Sequence, residues 1–530
     1  MSIRLGKSLI AHRLFGALPF GLALTGLLPA ASSFAATYYI APGGADTNAG
    51  TLASPFLTIM RAQAAASSGD TVYLHGGTYS PNNSDLTATN SPWVIVNNIT
   101  KSDISYVAYP GERPVFNFAN VKPVGYRVTA FLVTADDCVF KGFDVTGVQV
   151  TIQTNHTQSE CFRIAGGNNN HFEQLAMHDG MGIGWYLTGG ASNLVLNCDA
   201  YNNRGLDSGS LGNIDGFGCH PNKTGGTGNV LRGCRAWFNS DDGFDLINAW
   251  APVTIENCWA FYNGYFTNFV SSTGDGNGFK SGGYGRNGKA IPNPVPRHVT
   301  QFCVSVRNRA NGFYANHHTG GLDWISNTAY RNNVNYNMLC TLSDNLTDVP
   351  GYSQFMKNNL GYLGNTQVTN LDTNSSDVSF NYFTLPVAVS SNDFVSLDES
   401  QLTQPRQING DLPEISFLHL ANGSGLIDKG TNVGYAFNGA APDLGAFEKS
   451  TTPPPRLTSL VCEGDDMVLT WVTSPVKTNF VEATTDLGTD FADITGPIIP
   501  VGNGDVTTNY PDLGATTNFP ARFYRVRLVQ

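Results

Sequence analysis

Short apolar runs separated by Gly- and Asn-bearing turns follow one another from Asp70 to about Tyr382. In this region no apolar pattern of helical period continues far enough to form a long amphipathic helix. Runs of this length bounded by turn residues are typical of β-strands. Ahead of them, an apolar segment near 62–66 predicts a helix that covers the open first turn of a stacked β-structure.

A repeat is visible when five segments from the middle of the chain are superimposed. They begin at Cys198, Cys234, Cys258, Cys303 and Asn327. Each has a small residue two positions later and an Asn five positions later. The base step is 24 residues, as from Cys234 to Cys258, and two longer steps imply insertions. This period predicts an all-β fold, a right-handed parallel β-helix with insertions on one side.

The columns of the repeat predict roles for their side chains. An earlier turn is aligned on Gln174, Ala176 and Asp179. The Asn column should form an internal ladder of side-chain amides. The Cys column should fill the core; nine Cys in an exported protein would ordinarily indicate disulfides, but in-line stacking does not provide bridging geometry.

The N-terminus carries basic residues, an apolar run over 14–31 and the small-x-small sequence Ser33-Phe34-Ala35. These features predict a secretory signal peptide over 1–35, cut near Ala35. A transmembrane anchor is the alternative, disfavoured because Gly and Pro interrupt the run and a cleavage site follows it. We therefore expect a secreted protein.

The rest of the chain divides at a stiff Thr-Thr-Pro-Pro-Pro segment. Residues 36–450 should form the β-helix, and 425–448 should close it with a strand and loops. Residues 451–455 are the Pro-rich linker. Residues 456–530 alternate apolar and polar positions over short runs, which predicts a small β-sandwich. This domain could be a binding module, an anchoring module or only a spacer.

Composition narrows the range of partners. Only 13% of the 530 residues are charged, there are 58 Gly, and the net charge is −11. Without a basic surface, nucleic acid and anionic membranes are excluded as expected partners. An acidic polymer remains possible if a cation bridges it to the protein. We expect a soluble monomer.

Four Gly-Phe pairs mark what should be the same corner of successive coils. The positions just before them hold Asp215, Asp242, Asn277 and Asn311, and those just after hold Gly218, Asp245, Lys280 and Tyr314. If the coils stack, each column has side chains about 4.8 Å apart. Four carboxylates and one lysine would then share a small patch.

Asp215, Asp241, Asp242 and Asp245 would repel one another and raise one another's pKa unless a cation neutralises them. The ion that suits an all-oxygen, flexible site in an extracellular protein is Ca²⁺. Zinc is disfavoured because its nitrogen and sulfur candidates lack a second spaced pair. The alternative is that these Asp residues only cap solvent-exposed turns.

Lys280 has two interpretations. It is either a salt-bridged surface lysine or a base whose pKa a neighbouring cation lowers. The second interpretation requires that the metal, and not the ammonium, balances the carboxylates. A neutral lysine could then deprotonate a carbon acid whose carboxylate the metal holds.

This pattern resembles the family 9 polysaccharide lyases, which include pectate lyases. The residues that carry the resemblance are Asp215, the Asp241-Asp242-x-x-Asp245 segment and the Asn277–Gly283 segment. The resemblance covers about 37–450 and implies a long right-handed β-helix. It also implies Ca²⁺ held by the four Asp residues and Lys280 as the Brønsted base. The implied reaction is β-elimination on pectate, an acidic plant cell-wall polysaccharide, giving 4,5-unsaturated oligosaccharides.

Other functions remain open. Family members differ in substrate, so a rhamnogalacturonan lyase or an exo-polygalacturonate lyase is an alternative. A polygalacturonase-like hydrolase would use Asn213-Ile-Asp215 and Asp241-Asp242, but the Gly-His-Gly and Arg-Ile-Lys motifs of that family are missing. A non-catalytic carbohydrate-binding β-helix is the alternative from another class, because fold alone does not fix function.

Overall fold

The computed structural model describes residues 35–152, 158–206, 213–272, 274–449, 455–473, 478–486, 491–502, 506–519 and 521–529. The chain divides into two compact units, Met1–Ala35 and Ala36–Gln530, and the second contains all of the described strands. The predicted signal peptide, apart from Ala35, and the predicted linker, apart from its last residue, lie outside the described residues.

Three parallel sheets, wound as successive coils, form most of the described structure. The first sheet consists of Thr37–Ile40, Thr71–Leu74, Ser105–Ala108, Val139–Lys141, His171–Glu173, Leu194–Leu196, Asn229–Arg232, Val253–Glu256, Val299–Gln301, Asp323–Ile325, Phe355–Lys357 and Asp377–Val378. The second consists of Gly77–Tyr79, Pro114–Asn117, Asp144–Thr146, Ala176–His178, Asp199–Tyr201, Arg235–Trp237, Trp259–Phe261, Val304–Val306, Thr328–Tyr330 and Leu360–Tyr362.

The third sheet carries the candidate site. In spatial order it consists of Ala88–Asn90, Trp93–Ile99, Arg127–Val133, Ser159–Ala165, Gly182–Gly189, Phe217–Cys219, Phe244–Asp245, Phe279–Lys280, Asn311–Tyr314, Val334–Asn337 and Thr366–Thr369. Its pairs are parallel except for the first, which is antiparallel. A short hairpin, Cys340–Thr341 with Asp348–Val349, lies outside the three sheets. Most turns of the chain therefore contribute one strand to each of three faces, which confirms the predicted parallel β-helix.

The space between the sheets is filled by stacked aromatic rings. Phe217, Phe244, Phe279 and Phe313 are fully buried, with successive ring centroids 5.1, 4.9 and 5.0 Å apart. Because strand side chains alternate between faces, the residues one position after each Phe face outward. The aromatic stack thus fixes which residues lie on the outer face of the sheet.

The Asn column forms the predicted ladder. Each side-chain amide donates to the amide oxygen one coil further on, at 3.2, 3.1, 3.0 and 3.0 Å. The members are Asn203, Asn239, Asn263, Asn308 and Asn332. The Cys column is buried, and all nine cysteines are free thiols. Both sets act as core elements, the first by satisfying buried turn backbone and the second as small apolar fillers.

The predicted alignment of the earliest repeat turn, which used Gln174, Ala176 and Asp179, is wrong by one residue. The strand pairing sets Met177 beside Ala200. The columns at this turn therefore hold Leu175, Met177 and Gly180. Leu175 and Met177 are buried, whereas Gln174 points outward and donates to the carbonyl of Asn409 at 2.8 Å. The burial of Leu175 and Met177 sets the strand register at this turn, whereas the sequence alignment only matched residue types.

Ile59–Ala65 forms the predicted N-terminal helix. It starts where the Thr58 side chain accepts the N–H of Arg61 at 3.1 Å. Ile59 and Ala62 are buried in the main core. The helix therefore covers the apolar interior at the start of the coils.

The prediction of a closing strand over 425–448 is wrong. Among the described residues after the Asp377–Val378 strand, up to 449, the only regular elements are the 3₁₀ helices Ser391–Asp393 and Glu399–Thr403. This segment packs along the outside of the coils: Arg406 Nη2 reaches Asp199 Oδ1 at 2.7 Å. Carboxylates such as Asp443, which accepts the N–H of Asp428 at 2.8 Å, satisfy its backbone without a strand ladder.

The C-terminal region contains two small antiparallel sheets. One consists of Arg456–Glu463, Asp466–Thr473 and Val506–Asp512, and the other of Ala492–Asp493, Thr478–Thr484 and Phe523–Val529. A short helix, Ala515–Asn518, follows the first. Leu469, Trp471 and Val481 form their core. This is the predicted small β-sandwich.

One further helical turn is present among the described residues. A 3₁₀ helix spans Asn83–Asp85 near the start of the coils. No helix in the described parts of the chain is long and apolar enough to cross a membrane.

Candidate functional site

The candidate site stands on three neighbouring strands of the third sheet, Phe217–Cys219, Phe244–Asp245 and Phe279–Lys280. Their pairing aligns Gly218 with Asp245, and Asp245 with Lys280. The register is the one that the Gly-Phe columns predicted. The outward side chains of Asp245 and Lys280 therefore lie on adjacent strands, one inter-strand step apart.

Three of the four predicted metal-binding carboxylates converge. Asp215, Asp241 and Asp242 each offer one oxygen within 4.8 Å of the others, and all three are buried. Main-chain donors orient them: Asp242 N–H donates to Asp215 Oδ1 at 3.1 Å, and Asp275 N–H donates to Asp241 Oδ1 at 2.5 Å. The cluster is thus built into the turns before the strands and is not a set of solvated turn caps.

Asp242 is the central member of this cluster. Its Oδ1 accepts two hydrogen bonds from Asn277, one from the backbone N–H and one from the side-chain amide, both at 2.7 Å. Its Oδ2 is buried and forms an ion pair with Lys280 Nζ at 3.0 Å. Asn277 stands in the same column one coil further on, so its amide continues the carboxylate column.

The charges of the cluster oppose one another. Burial, followed by the negative charges of its neighbours, raises the pKa of Asp215 well above its ordinary value. Burial and the charge of Asp242 do the same to the pKa of Asp241. Burial also raises the pKa of Asp242, to about 6, against the opposing influence of Lys280. These carboxylates need a cation to ionise together.

Asp245 lies beside the cluster and is joined to it through Lys280. Lys280 Nζ is 3.0 Å from Asp242 Oδ2 and 3.2 Å from Asp245 Oδ2. The lysine therefore does supply counter-charge, contrary to the assumption behind its interpretation as a free base. Burial acts to lower the pKa of Lys280, but the carboxylates outweigh it and hold the pKa well above its usual range.

The residues present fit a divalent cation such as Ca²⁺. The donor set is all oxygen, three buried carboxylates converge, and the single ammonium of Lys280 does not balance their charge. The zinc candidates stay apart from this set: Cys219 is a fully buried core residue, and His220 Nε2 is 4.0 Å from Asp245 Oδ1. The chemistry of the donors favours calcium over zinc.

The chain after Lys280 is shaped by a glycine pair and a buried histidine. Gly283 has φ +89°, and a Cβ there would lie 2.1 Å from the carbonyl oxygen of Asn316, so only glycine fits. Its N–H donates to Nδ1 of His318 at 3.2 Å. His318 Nε2 donates in turn to the carbonyl of Pro296 at 3.0 Å. The neutral imidazole thus fixes the exit of the Lys280 strand.

We expect the neutral state of His318 to make stability depend on pH. Burial lowers the pKa of His318 to about 4, below its unfolded value of about 6.5. The stabilisation is complete above the unfolded pKa and is lost as pH falls towards the folded pKa. Between pH 7 and pH 5 the wild type should lose about 2 kcal/mol of unfolding free energy relative to His318→Gln, whose amide can keep both hydrogen bonds.

Chemical denaturation of the two proteins at several pH values measures this difference. Asp215 and Asp241 have raised pKa values, which stabilise the folded protein in acid. This contribution is the same in wild type and His318→Gln, so it cancels in the difference between their unfolding free energies. Parallel pH dependences in both proteins would contradict a neutral buried His318.

A cleft of about 880 Å³ lies at the end of the Gly182–Gly189 strand, is lined by none of the carboxylates of the cluster, and was missed from the sequence. Its lining includes glycines from three successive turns, Trp250 and Lys223. The cleft begins two residues after Tyr186 on the Gly182–Gly189 strand. The Gly-rich turns at 189–190 and 225–226 were the available signal, because glycine permits a ligand to approach the backbone.

Comparisons with known proteins place most of the chain in one family. The family model described as "Pel9A-like, right handed beta helix region" matches residues 38–359. Pectate lyase L of Dickeya chrysanthemi is 37% identical over 424 residues, covering 78% of this chain and 90% of that protein.

Two solved structures are also similar. A rhamnogalacturonan lyase is 46% identical with a TM-score of 0.70, covering 73% of this chain and 96% of that one. Pectate lyase Pel9A is 33% identical with a TM-score of 0.64, covering 79% of this chain and 97% of that one.

Proposed function

Because the chain belongs to the Pel9A-like right-handed β-helix family, we propose that it is a calcium-dependent polysaccharide lyase that cleaves pectate by β-elimination. The observation that carries the proposal is the buried amine of Lys280, 3.0 Å from Asp242 within a cluster of converging carboxylates. The similarity to pectate lyases supports the substrate class. An acidic polysaccharide is the partner, and the protein acts as a monomer.

Each residue has a role in this reaction. Asp215, Asp241, Asp242 and Asp245 would hold Ca²⁺, which supplies a positive charge that binds the C6 carboxylate and acidifies the C5 proton. Lys280 Nζ accepts the C5 proton. The C5–H electron pair forms the C4–C5 double bond, and the C4–O4 bond breaks so that the leaving oxygen takes a proton from solvent. Hydrolysis would need a free acid, and the buried carboxylates are all committed to the cation.

We expect kcat/KM on polygalacturonate to rise with pH through the alkaline range. Proton removal needs the neutral amine, and a lysine amine is mostly protonated below its ordinary pKa of about 10.4. The fraction of enzyme with a neutral Lys280 amine should therefore increase about tenfold per pH unit below that pKa. Initial rates at saturating calcium, from about pH 7 to about pH 10, test this. A flat profile over that interval would argue against an amine base.

Rhamnogalacturonan is the second candidate substrate. It is favoured by one observation, the 46% identity to a rhamnogalacturonan lyase. Both polymers contain uronate carboxylates, so the calcium and Lys280 roles apply to either. Unsaturated product, followed by its ultraviolet absorbance on each polymer with and without EDTA, separates them. Reducing ends without unsaturation would indicate a hydrolase, and binding without turnover would indicate a non-catalytic protein.

The chain organisation completes the proposal. We infer that residues 1–35 direct export and are removed near Ala35, that 36–450 form the lyase domain, and that 456–530 form an accessory domain after the 451–455 linker. The basic and apolar N-terminal pattern supports export. N-terminal sequencing of the protein from culture medium tests the cleavage site.

A further inference from the structure

The two columns that form the site continue across the third sheet towards its N-terminal end. In the outward column, strand pairing aligns Arg163 with Tyr186 and Tyr186 with Gly218, which pairs with Asp245. Arg163 therefore stands three strands before Asp245, about 14 Å along the same face. It follows the inward-facing Phe162 as Asp245 follows Phe244, so it projects from the surface that carries the proposed calcium site.

Arg163 is held by a buried partner. Glu160 is fully buried, and its Oε1 lies 3.3 Å from Arg163 Nη1 and 3.8 Å from Arg127 Nη2. Its Oε2 accepts the hydroxyl of Thr129 at 2.7 Å. Both guanidinium groups lie over the Trp93 ring, Arg127 at 4.4 Å and Arg163 at 5.2 Å from the centroid. These contacts fix the guanidinium of Arg163 in place.

The set formed by Arg163, Arg127 and Glu160 has an excess of positive charge, and the Arg163 guanidinium has free hydrogen-bond donors. Two arginines share one carboxylate, which leaves one net positive charge on a protein whose net charge is −11. The Arg163 side chain is 26% exposed. Within the described parts of the chain its one hydrogen bond is to Glu160, so most of its five N–H donors are available. A fixed guanidinium with open donors suits a planar carboxylate.

The surface between Arg163 and the calcium site is suited to an extended chain. Tyr186 occupies the intervening position, with its ring 5.1 Å from the ring of His220. Gly218 follows; a Cβ there would lie 2.7 Å from the Tyr186 ring, so the absent side chain makes room for the tyrosine. The face therefore offers an aromatic platform and then an open position before Asp245.

We propose that Arg163 is a substrate-binding residue that holds a second carboxylate of the polyuronate chain, remote from the bond that is cleaved. This inference rests on the proposed function, because it assumes a linear polymer with repeated carboxylates bound at Asp215–Lys280. Glu160, Arg127 and Trp93 position the guanidinium. The subsite adds affinity for long chains and leaves the chemical step unchanged.

The test compares Arg163→Ala with the wild type on polygalacturonate and on oligogalacturonides of increasing length. KM for polygalacturonate should rise roughly tenfold to hundredfold with kcat nearly unchanged. The difference should disappear for oligomers too short to reach from the cleaved bond to Arg163. Arg232→Ala, which removes an exposed arginine from the first sheet, is the matched control and should behave as wild type.

Two further variants separate binding from folding. Arg163→Lys keeps the positive charge but loses the paired N–H donors of the planar guanidinium, and should show a KM between those of wild type and Arg163→Ala. The double variant Glu160→Gln with Arg163→Ala avoids a buried carboxylate with only one cation, and should match Arg163→Ala in KM. Thermal unfolding identifies any variant that is not folded.

Binding measured by calorimetry with EDTA present makes the inference independent of turnover. Weaker binding of polygalacturonate to the double variant than to wild type supports the subsite, whether or not unsaturated product is formed. Equal affinities in the two proteins would overturn it. If the wild type forms no unsaturated product, the proposed function fails by itself, and this binding comparison still decides the role of Arg163.

Discussion

Replacing Lys280 with alanine should abolish elimination while calcium binding persists. General base catalysis contributes about 10² to 10⁴-fold, so kcat on polygalacturonate should fall by at least about a hundredfold. The geometry supports a large effect because Nζ is buried and held 3.0 Å from Asp242 and 3.2 Å from Asp245. Unsaturated product measures the rate, and calorimetric titration with calcium measures the metal site.

The matched control for this substitution is Lys429→Ala, an exposed lysine in the segment outside the coils. It should keep wild-type activity. Because Lys280 also balances buried charge, thermal unfolding of Lys280→Ala should be compared with and without calcium. Calcium should restore its stability, since the metal replaces the lost positive charge. Substantial lyase activity in a folded Lys280→Ala protein would refute its role as the base.

The stacking of the site columns could be predicted from sequence because a β-helix converts spacing into position. Once Phe217, Phe244 and Phe279 are assigned to one inward column, strand alternation places Asp245 and Lys280 on adjacent strands. The Asn ladder followed from the same argument. Both predictions depend only on backbone register, which the apolar pattern specifies strongly.

Features that depend on side-chain conformation or irregular backbone could not be predicted this way. The repeat places Lys280 beside Asp245 but does not specify that its amine also reaches Asp242. The alignment at Gln174 failed because residue types matched in the wrong register. The segment after Asp377–Val378 has its backbone satisfied by side chains such as Asp443, and such contacts leave no periodic signal.

For the same reason, Arg163 could not be recognised from the sequence as a substrate-binding residue. It lacks the Gly-Phe mark that identified the site strands, since Cys161 precedes Phe162 on its strand. Its place in the outward column is visible only through the pairing of its strand with Gly182–Gly189. Extending a functional face along a β-helix therefore requires the observed register as well as the motif.

Replacing Asp242 with asparagine should remove most of the calcium affinity and, with it, activity. Asp242 is fully buried, its Oδ1 is taken by Asn277, and its Oδ2 faces the Lys280 amine at 3.0 Å. An amide in this position loses the charge that attracts the cation. Even residues that only support metal ligands cost about 10 to 100-fold in affinity, so loss of a ligand should cost at least as much.

Asp275→Asn is the matched control for this prediction. Asp275 also approaches Lys280, at 3.7 Å, but its side chain is 70% exposed and only its backbone N–H contacts the cluster. It should therefore retain calcium binding and activity. Excess calcium should partly restore turnover in Asp242→Asn but not in Lys280→Ala, because the first variant lacks a ligand and the second lacks the base. Equal calcium affinity in Asp242→Asn and Asp275→Asn would mean that the cation binds elsewhere.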